Sequence, residues 1–293
     1  MNLYQNKRLA FLYLLPAVVL ILVFIYSPIV LNMFYSLYRW SAFSDKVYIG
    51  LQNYQRLIKD PIFYTTIRNN TLYAVISVVF QVGLGLILAA ILEEKFLRKY
   101  QGFFRTVYFI PSVISLTVVG LLWQMIYNPN IGILNSALKA IGFERFAYDW
   151  LGNSKTAIYA IIAVSQWQYT GYIMLLFLVA IQKIPSELYE AAMIDGANRV
   201  QVFFNVTVPQ VREMIMVNVT ITIIGAFKVF DEVYVMTAGG PGRSSEVLAT
   251  YMYRSAFRND EMGYAATIAF VIFVTTFTLS FLQNRLFGSG HET

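Results

Sequence analysis

The sequence predicts an all-α membrane protein with six transmembrane helices, and its composition and hydropathy pattern lead to that fold class. Of the 293 residues, 58% are hydrophobic and 13% are charged, whereas about 25% of the residues in soluble domains are charged. The mean hydropathy is +0.57. A bilayer core about 30 Å thick is crossed by about 20 helical residues, and several uncharged stretches reach that length.

Five stretches without a charged residue predict five of the spans: 9–38, 69–92, 106–138, 156–182 and 262–284. A further stretch begins at Met214 and meets Lys228 after 14 uncharged residues, which is about 21 Å of helix at about 1.5 Å per residue. This span therefore carries Lys228, Asp231 and Glu232 near one end. We predict a single transmembrane domain over residues 1–293, with spans at about 9–37, 69–92, 104–127, 156–181, 213–236 and 262–285.

Six spans place both chain termini on the same side of the membrane, and the basic residues indicate which side. Lys7 and Arg8 precede the first span, and a basic cluster of Lys95, Arg98 and Lys99 follows the second. Because Lys and Arg near span ends favour the cytoplasmic side, we expect cytoplasmic N- and C-termini. The net charge of +6 is spread over short loops, so its expected partner is the lipid bilayer and not nucleic acid.

The reactive side chains exclude several kinds of chemistry. The sequence contains no cysteine, which excludes disulfides, thiolate metal sites and cysteine nucleophiles. Its one histidine, His291, lies in a polar tail, where we interpret it as part of a solvated chain end. Apart from the outer end of the fifth span, the spans carry no mid-membrane cluster of ionisable residues, which an intramembrane enzyme or a secondary transporter would need.

The polar loop at 183–212, between the fourth and fifth spans, begins with a predicted short helix. Residues 186–195 are good helix formers, and Gly196 is expected to end the helix. The helix carries the small residues Ala191 and Ala192 and the acidic residues Glu190 and Asp195. This combination favours docking against a protein with a basic groove. The alternative, an amphipathic helix resting on headgroups, is usually rich in Lys and Arg, and only Arg199 is near.

A second short helix is predicted in the same loop. Asn198 and Gln201 have the spacing of a capping box, and Pro209 is expected to end the helix. The residues predicted to form its packed face are Val200, Phe203, Phe204 and Thr207.

This loop resembles the EAA loop of permeases of ATP-binding-cassette (ABC) importers, whose pattern is E-A-A-x3-G-x9-I-x-L-P. Here Glu190-Ala191-Ala192 is followed by Gly196 and, after nine residues, by Val206-x-Val208-Pro209. The stretch FDEVYVMTAGGP at 230–241 is similar to a segment of the carbohydrate-uptake branch, which includes the larger maltose-transporter permease. That subunit has two more N-terminal spans and a large external insert, whereas residues 40–68 here are a short loop.

The resemblance implies a type I ABC importer permease fold with a cytoplasmic coupling (EAA) helix, in a bacterial or archaeal cell (inner) membrane. The residues implied to couple the spans to an ATPase are Glu190, Ala191, Ala192, Asp195, Gly196 and Pro209. The chain has no G-x4-G-K-[ST] phosphate loop, so we expect no enzyme activity and no cofactor in it, with ATP and Mg on partner subunits. The implied partners are a second homologous permease, two ATP-binding subunits and an extracellular or periplasmic solute-binding protein.

Polar residues in the fourth span predict where a substrate binds. Ser165, Gln168 and Tyr172 share one helix face by their i, i+3 and i+7 spacing, and Gln168, Tyr169 and Tyr172 are the substrate-binding candidates. Amide and phenol groups hydrogen-bond sugar hydroxyls, while an aromatic ring covers an apolar sugar face. Hydrogen bonding between spans is the alternative.

In the fifth span, Thr222, Gly225, Ala226 and Val229 match sugar-lining positions by the same resemblance. The asparagines of the maltose subunit are absent at Ala226 and Val229, which implies a different sugar. We interpret Lys228 as paired with Asp231 or Glu232 along its own helix, and binding of an anionic substrate by Lys228 is the alternative.

The expected function is that of the membrane-spanning permease of an ATP-driven, binding-protein-dependent sugar importer, which forms the translocation path with a second permease. The alternative is a permease for another polar solute, such as a glycerophosphate.

Overall fold

The computed structural model describes residues 7–94 and 96–287, and it is built almost entirely of helices. Lys95 and His291, named above, lie outside the described residues. The α-helices are α1 (Lys7–Ile21), α2 (Ser27–Tyr35), α3 (Gln52–Lys59), α4 (Pro61–Ser77), α5 (Gly85–Glu93), α6 (Gln101–Val113), α7 (Leu116–Ile126), α8 (Ile133–Ala140), α9 (Ala157–Ile181), α10 (Ser186–Ile194), α11 (Arg199–Val202), α12 (Val208–Gln210), α13 (Arg212–Lys228), α14 (Asp231–Thr237), α15 (Leu248–Tyr253) and α16 (Met262–Phe287).

Shorter elements join several of these helices. The π-helical segments are Leu22–Tyr26, Val78–Leu84, Phe203–Thr207 and Arg254–Arg258, and the 3-10 turns are Arg98–Tyr100 and Glu144–Phe146. Strands β1 (Tyr38–Arg39) and β2 (Val47–Tyr48) form an antiparallel pair, in which Tyr38 lies opposite Tyr48 and Arg39 lies opposite Val47.

Helices long and apolar enough to cross a membrane are found along the whole described chain. Across residues 7–94 and 96–287 there are four continuous ones, Phe11–Tyr35, Pro61–Glu93, Ala157–Ile181 and Met262–Gln283. Two bent pairs raise the number to six when each is counted as one span: Arg98–Val113 with Leu116–Ile126, bent by 97°, and Arg199–Gln210 with Arg212–Lys228, bent by 74°. The span limits and the single domain of the sequence analysis remain predictions.

The chain divides into two compact units. In the first, which contains residues 7–60 and 251–274, side chains tie the strand region to neighbouring helices. Asn53 donates hydrogen bonds to the carbonyl oxygens of Ser36 at 2.8 Å and of Tyr38 at 3.0 Å. Arg56 holds both carboxylate oxygens of Glu261 at 2.7 and 3.0 Å. This ion pair raises the pKa of the Arg56 guanidinium, because Glu261 stabilises its charged form.

The second unit, which contains residues 61–250 and 275–287 of the described chain, is organised around α9. This helix packs against α4, α5, α6, α13 and α14, and most of its residues are buried or partly buried, as expected of an apolar helix at the centre of a bundle. Its fully buried residues include Met174, Phe177 and Leu178. They pack with Leu86 and Ala89 of α5 in one hydrophobic cluster.

A glycine allows α6 to approach α9 closely. At Gly171, a Cβ atom would lie 1.8 Å from the carbonyl oxygen of Tyr108 in α6. Membrane helices commonly use small residues for such contacts, because the absence of a side chain lets two backbones touch. Any side chain at position 171 therefore collides with backbone atoms.

Candidate functional site

A cavity of about 700 Å³ lies in the second unit, and its wall is built by four parts of the chain. They are α4 with the following π-helical segment, the junction of α6 and α7, the middle of α9, and the α13–α14 segment. Of the predicted substrate-binding residues, five line this cavity: Tyr169, Tyr172, Thr222, Gly225 and Val229. The structure therefore brings together residues from the fourth and fifth predicted spans.

Gln168 is the predicted substrate-binding residue that does not line the cavity. Its side chain is 1% exposed and donates to the carbonyl oxygen of Ile114, at the end of α6, at 3.4 Å. The cavity-lining face of α9 is instead made by Ser165, Tyr169 and Tyr172. Both sets of residues have helical spacing, and the packing of α6 against α9 decides which set faces the cavity.

The wall formed by α13 and α14 is a broken helix. Val229 has an extended ψ of 127° and Phe230 has a φ of −136°, so α13 ends before them and α14 begins after them. A break leaves carbonyl groups at the end of one helix and N–H groups at the start of the next without helical partners. Transporters often place such breaks at their substrate sites, because the freed backbone groups bind polar ligands.

Three charged residues flank this break and line the cavity: Lys228, Asp231 and Glu232. The predicted ion pair is wrong, because among the described residues Lys228 forms no salt bridge with either carboxylate. Side chains at i+3 and i+4 meet only on a continuous helix, and the break removes that geometry. Lys228 lies in the last turn of α13 and the two carboxylates lie in the first turn of α14, where the helix dipole favours each charge.

The second predicted span also contributes polar residues to the cavity, which the sequence analysis missed. Tyr73, Ser77 and Gln81 line it, and Gln81 donates to the hydroxyl oxygen of Ser165 at 3.3 Å. Their i, i+4 and i+8 spacing puts them on one helix face, and this spacing was the available signal. Gln81 lies in the π-helical segment Val78–Leu84, a distortion that is frequent at functional sites.

The hydroxyl group of Thr222, a residue that lines the cavity, lacks a hydrogen-bond partner within the described chain. Its oxygen atom is also buried. A buried hydroxyl without a partner costs free energy, and a polar ligand in the cavity would supply the missing hydrogen bond.

The predicted EAA helix is α10, and its end has the geometry of a Schellman motif. Gly196 has a φ of +76°, and the N–H of Ala197 donates to the carbonyl oxygen of Ala192 at 2.9 Å. A glycine in this left-handed conformation commonly ends a helix. Among the predicted coupling residues, Glu190, Ala191, Asp195, Gly196 and Pro209 are exposed and Ala192 is partly exposed.

Apolar side chains lie next to these residues on the surface of α10. Met193 is 55% exposed and Ile194 is 86% exposed. An acidic residue beside exposed apolar ones suits a protein partner better than an anionic lipid surface, which attracts Lys and Arg.

The second loop helix confirms its predicted start but not all of its predicted packing. The capping box is present, with Asn198 accepting from the N–H of Gln201 at 3.0 Å and Gln201 accepting from the N–H of Asn198 at 2.8 Å. Thr207 is buried and Phe203 packs against the hydrophobic cluster. Val200 and Phe204 are 64% and 61% exposed, which contradicts the prediction, since the π-helical segment Phe203–Thr207 changes the helical period.

The predicted end of this helix at Pro209 is displaced. Pro209 lies inside α12, and the chain turns at Val211, where φ is −99° and ψ is 15°. Proline at an early helical position is compatible with a helix because its missing N–H has no role there.

Comparisons with known proteins place the chain among transport proteins. The family model described as "Binding-protein-dependent transport system inner membrane component" matches residues 81–287. The chain is similar to the probable ABC transporter permease protein YurN of Bacillus subtilis (strain 168), with 54% identity over 98% of this chain and 99% of that protein. It is also similar to the lactose transport system permease protein LacF of Rhizobium radiobacter, with 37% identity over 93% of this chain and 91% of that protein.

A solved structure shares the fold. It belongs to a bacterial ABC transporter involved in the import of the acidic polysaccharide alginate, and one of its chains matches with a TM-score of 0.84. The match covers 98% of both chains at 23% sequence identity, so it is a likeness of fold.

Proposed function

The chain belongs to the family of binding-protein-dependent transport system inner membrane components, and from this premise we propose that it is the permease subunit of an ATP-driven sugar importer. Its fold class is the predicted one, a type I ABC importer permease. The observation that carries the proposal is that the matched region, residues 81–287, contains both the α9, α13 and α14 walls of the cavity and the exposed helix α10.

In the proposed transporter, this chain and its partner subunits have different roles. The EAA residues Glu190, Ala191, Ala192, Asp195, Gly196 and Pro209 dock into a cleft of an ATPase subunit. Two such subunits bind ATP and Mg and hydrolyse ATP, and a second homologous permease completes the translocation path. A solute-binding protein delivers the substrate on the outer side, and both chain termini and the EAA loop lie in the cytoplasm.

The substrate proposed for the cavity is a neutral carbohydrate. Tyr169, Tyr172 and Thr222 offer hydroxyl groups and aromatic rings, and Gly225 and Val229 line the cavity beside them. The names of relatives such as the lactose permease support this class. Lys228 favours the alternative of an anionic solute, but Asp231 and Glu232 line the same cavity and oppose a negative charge.

Purification from the native membrane tests the proposal. The tagged chain is expected to bring down a second permease and an ATPase, and the reconstituted complex is expected to hydrolyse ATP faster when the loaded solute-binding protein is added. Recovery of this chain alone as a functional homodimer would contradict the proposal.

Tyr172→Ala tests the cavity. Tyr172 is 38% exposed and lines the cavity, so the variant loses one hydrogen bond and one ring contact, together roughly 1.5–2 kcal/mol. We expect uptake of the delivered sugar to fall about tenfold with normal assembly. The matched control is Tyr159→Ala on the same helix, since Tyr159 is 48% exposed and does not line the cavity. Equal uptake by the two variants would place the sugar elsewhere.

A further inference from the structure

Two neighbouring asparagines of α4, Asn69 and Asn70, are buried, and within the described chain their side chains bond to backbone groups of distant segments. Asn70 donates to the carbonyl oxygen of Ala226 at 2.7 Å and accepts from the N–H of Leu248 at 2.9 Å. Asn69 donates to the carbonyl oxygens of Ser244 and Glu246, both at 2.8 Å. Each side chain thus joins segments that lie more than 150 residues away in sequence.

Asn70 differs from Asn69 in what it joins. Ala226 lies in the last turn of α13 and lines the cavity, and its carbonyl is one of those that a helix end leaves without a helical partner. Leu248 is the first residue of α15, directly after the connection that follows α14, which we call the 238–247 loop. One side chain therefore bonds the cavity wall and the end of this loop at the same time.

The 238–247 loop is held by its own hydrogen bonds. The hydroxyl of Ser245 donates to the carbonyl oxygen of Gly240 at 2.6 Å and lies 2.8 Å from the hydroxyl of Thr237. The Glu246 carboxylate packs so closely on Gly239 that an added Cβ would lie 2.8 Å from it. Such a loop moves as a unit, because shifting one part breaks these contacts.

The EAA loop precedes α13 and the 238–247 loop follows α14, so the two loops flank the α13–α14 segment along the chain. α13 begins at Arg212, directly after the EAA loop, and runs for 17 residues, which is about 26 Å at about 1.5 Å per residue. The 238–247 loop follows α14 beyond that length. With the EAA loop on the ATPase side, the 238–247 loop belongs to the outer side, where the solute-binding protein arrives.

We propose that Asn70 is a positioning residue, which makes the cavity wall at Ala226 follow the 238–247 loop when the solute-binding protein docks. Buried hydrogen-bonding groups are costly to leave unpaired, so a displacement of the loop end at Leu248 moves Asn70 or α13 with it. This inference rests on the proposed function. Asn69 bonds the loop to α4, and within the described chain its side chain makes no hydrogen bond to α13, so it is expected to affect docking and not transmission.

Titration of the reconstituted transporter with loaded binding protein tests this role. It measures two quantities separately: the maximal stimulated ATPase rate and the half-saturating concentration of binding protein. Asn70→Asp keeps the acceptor for Leu248 but replaces the donor to Ala226 with a second oxygen. Per assembled complex, we expect its maximal stimulated ATPase rate to fall at least about tenfold, while the half-saturating concentration of binding protein stays within about twofold. Asn69→Asp, the matched control, is expected to raise the half-saturating concentration and keep the maximal rate.

A thiol reporter extends the test to variants that assemble poorly. The chain has no native cysteine, and Gly225 lines the cavity with no atom within 4 Å of an added Cβ, so Gly225→Cys introduces one reactive group. When position 70 is the wild-type asparagine, adding loaded binding protein is expected to change the labelling rate of this cysteine severalfold. In the Asn70→Asp and Asn70→Ser variants we expect no such change. If wild-type ATPase is not stimulated, the proposed function fails. If wild type responds and the Asn70 variants keep its maximal rate and labelling change, the positioning role is wrong.

Discussion

Glu190→Lys is expected to abolish the stimulation of ATP hydrolysis by the loaded binding protein while leaving binding to that external protein intact. Glu190 is exposed on α10, next to the exposed Met193 and Ile194, and its proposed partner is a basic residue of the ATPase cleft. Leaving one member of a buried ion pair unpaired costs roughly 3–5 kcal/mol, which is more than a hundredfold in a binding constant. The measurement is ATPase activity of the reconstituted complex with and without loaded binding protein.

A pair of glycines provides the control for this coupling prediction. Gly196 and Gly142 have φ values of +76° and +81°, and neither has an atom within 4 Å of an added Cβ. A side chain in this left-handed conformation costs about 1–2 kcal/mol, so Gly196→Val and Gly142→Val carry a similar strain. Only Gly196→Val is expected to lose stimulation. Normal stimulation in both Glu190→Lys and Gly196→Val would mean that the EAA loop does not couple the subunits.

Gly171→Ala is expected to destabilise the folded chain by about 3 kcal/mol or more, at the upper end of the cost of overpacking. The added Cβ meets the carbonyl oxygen of Tyr108 at 1.8 Å, and this atom belongs to the backbone of α6, which cannot rotate away as a side chain does. We expect a lower thermal unfolding midpoint in detergent and less assembled complex.

Gly83→Ala is the matched control, because Gly83 is also helical but an added Cβ there has nothing within 4 Å. Alanine favours a helix over glycine by about 1 kcal/mol, so this variant is expected to keep or raise the unfolding midpoint. The two substitutions are thus expected to act in opposite directions. A similar shift for both would mean that α6 and α9 do not meet at Gly171.

Local signals predicted the EAA loop well because they depend on nearby residues. The capping box of Asn198 and Gln201 and the helix end at Gly196 were expected from spacing alone, and both are present. Each needs contacts among residues five or fewer positions apart. The exposed Val200 and Phe204 were mispredicted because a π-helical segment, which no residue type announces, alters the period that a face prediction assumes.

The candidate cavity was predicted in part. Helical spacing identified α9 as a wall of the cavity. The predicted set was Ser165, Gln168 and Tyr172, and the observed set is Ser165, Tyr169 and Tyr172. Both sets fit one helix face almost equally well. The close approach of α6 at Gly171 and the bond from Gln168 to Ile114 turn Gln168 away from the cavity. Spacing describes a face of an isolated helix, whereas the neighbours of that helix decide which part of the face remains open.

By itself, the sequence determined that the chain is a membrane protein built of long apolar helices, that it carries an EAA loop, and that it lacks its own phosphate loop, because composition and short spacings are properties of the chain. The break between α13 and α14 was decided only by the tertiary structure. Neither position 229 nor position 230 is a proline or a glycine, so the residue types at the break do not predict it. The carbonyl group of Ala226, freed near the break, accepts a hydrogen bond from Asn70, which lies 156 residues earlier. A hydrogen bond across that distance depends on how the helices pack, and this is also why Lys228 and Glu232 face the cavity without forming the ion pair that their spacing had predicted.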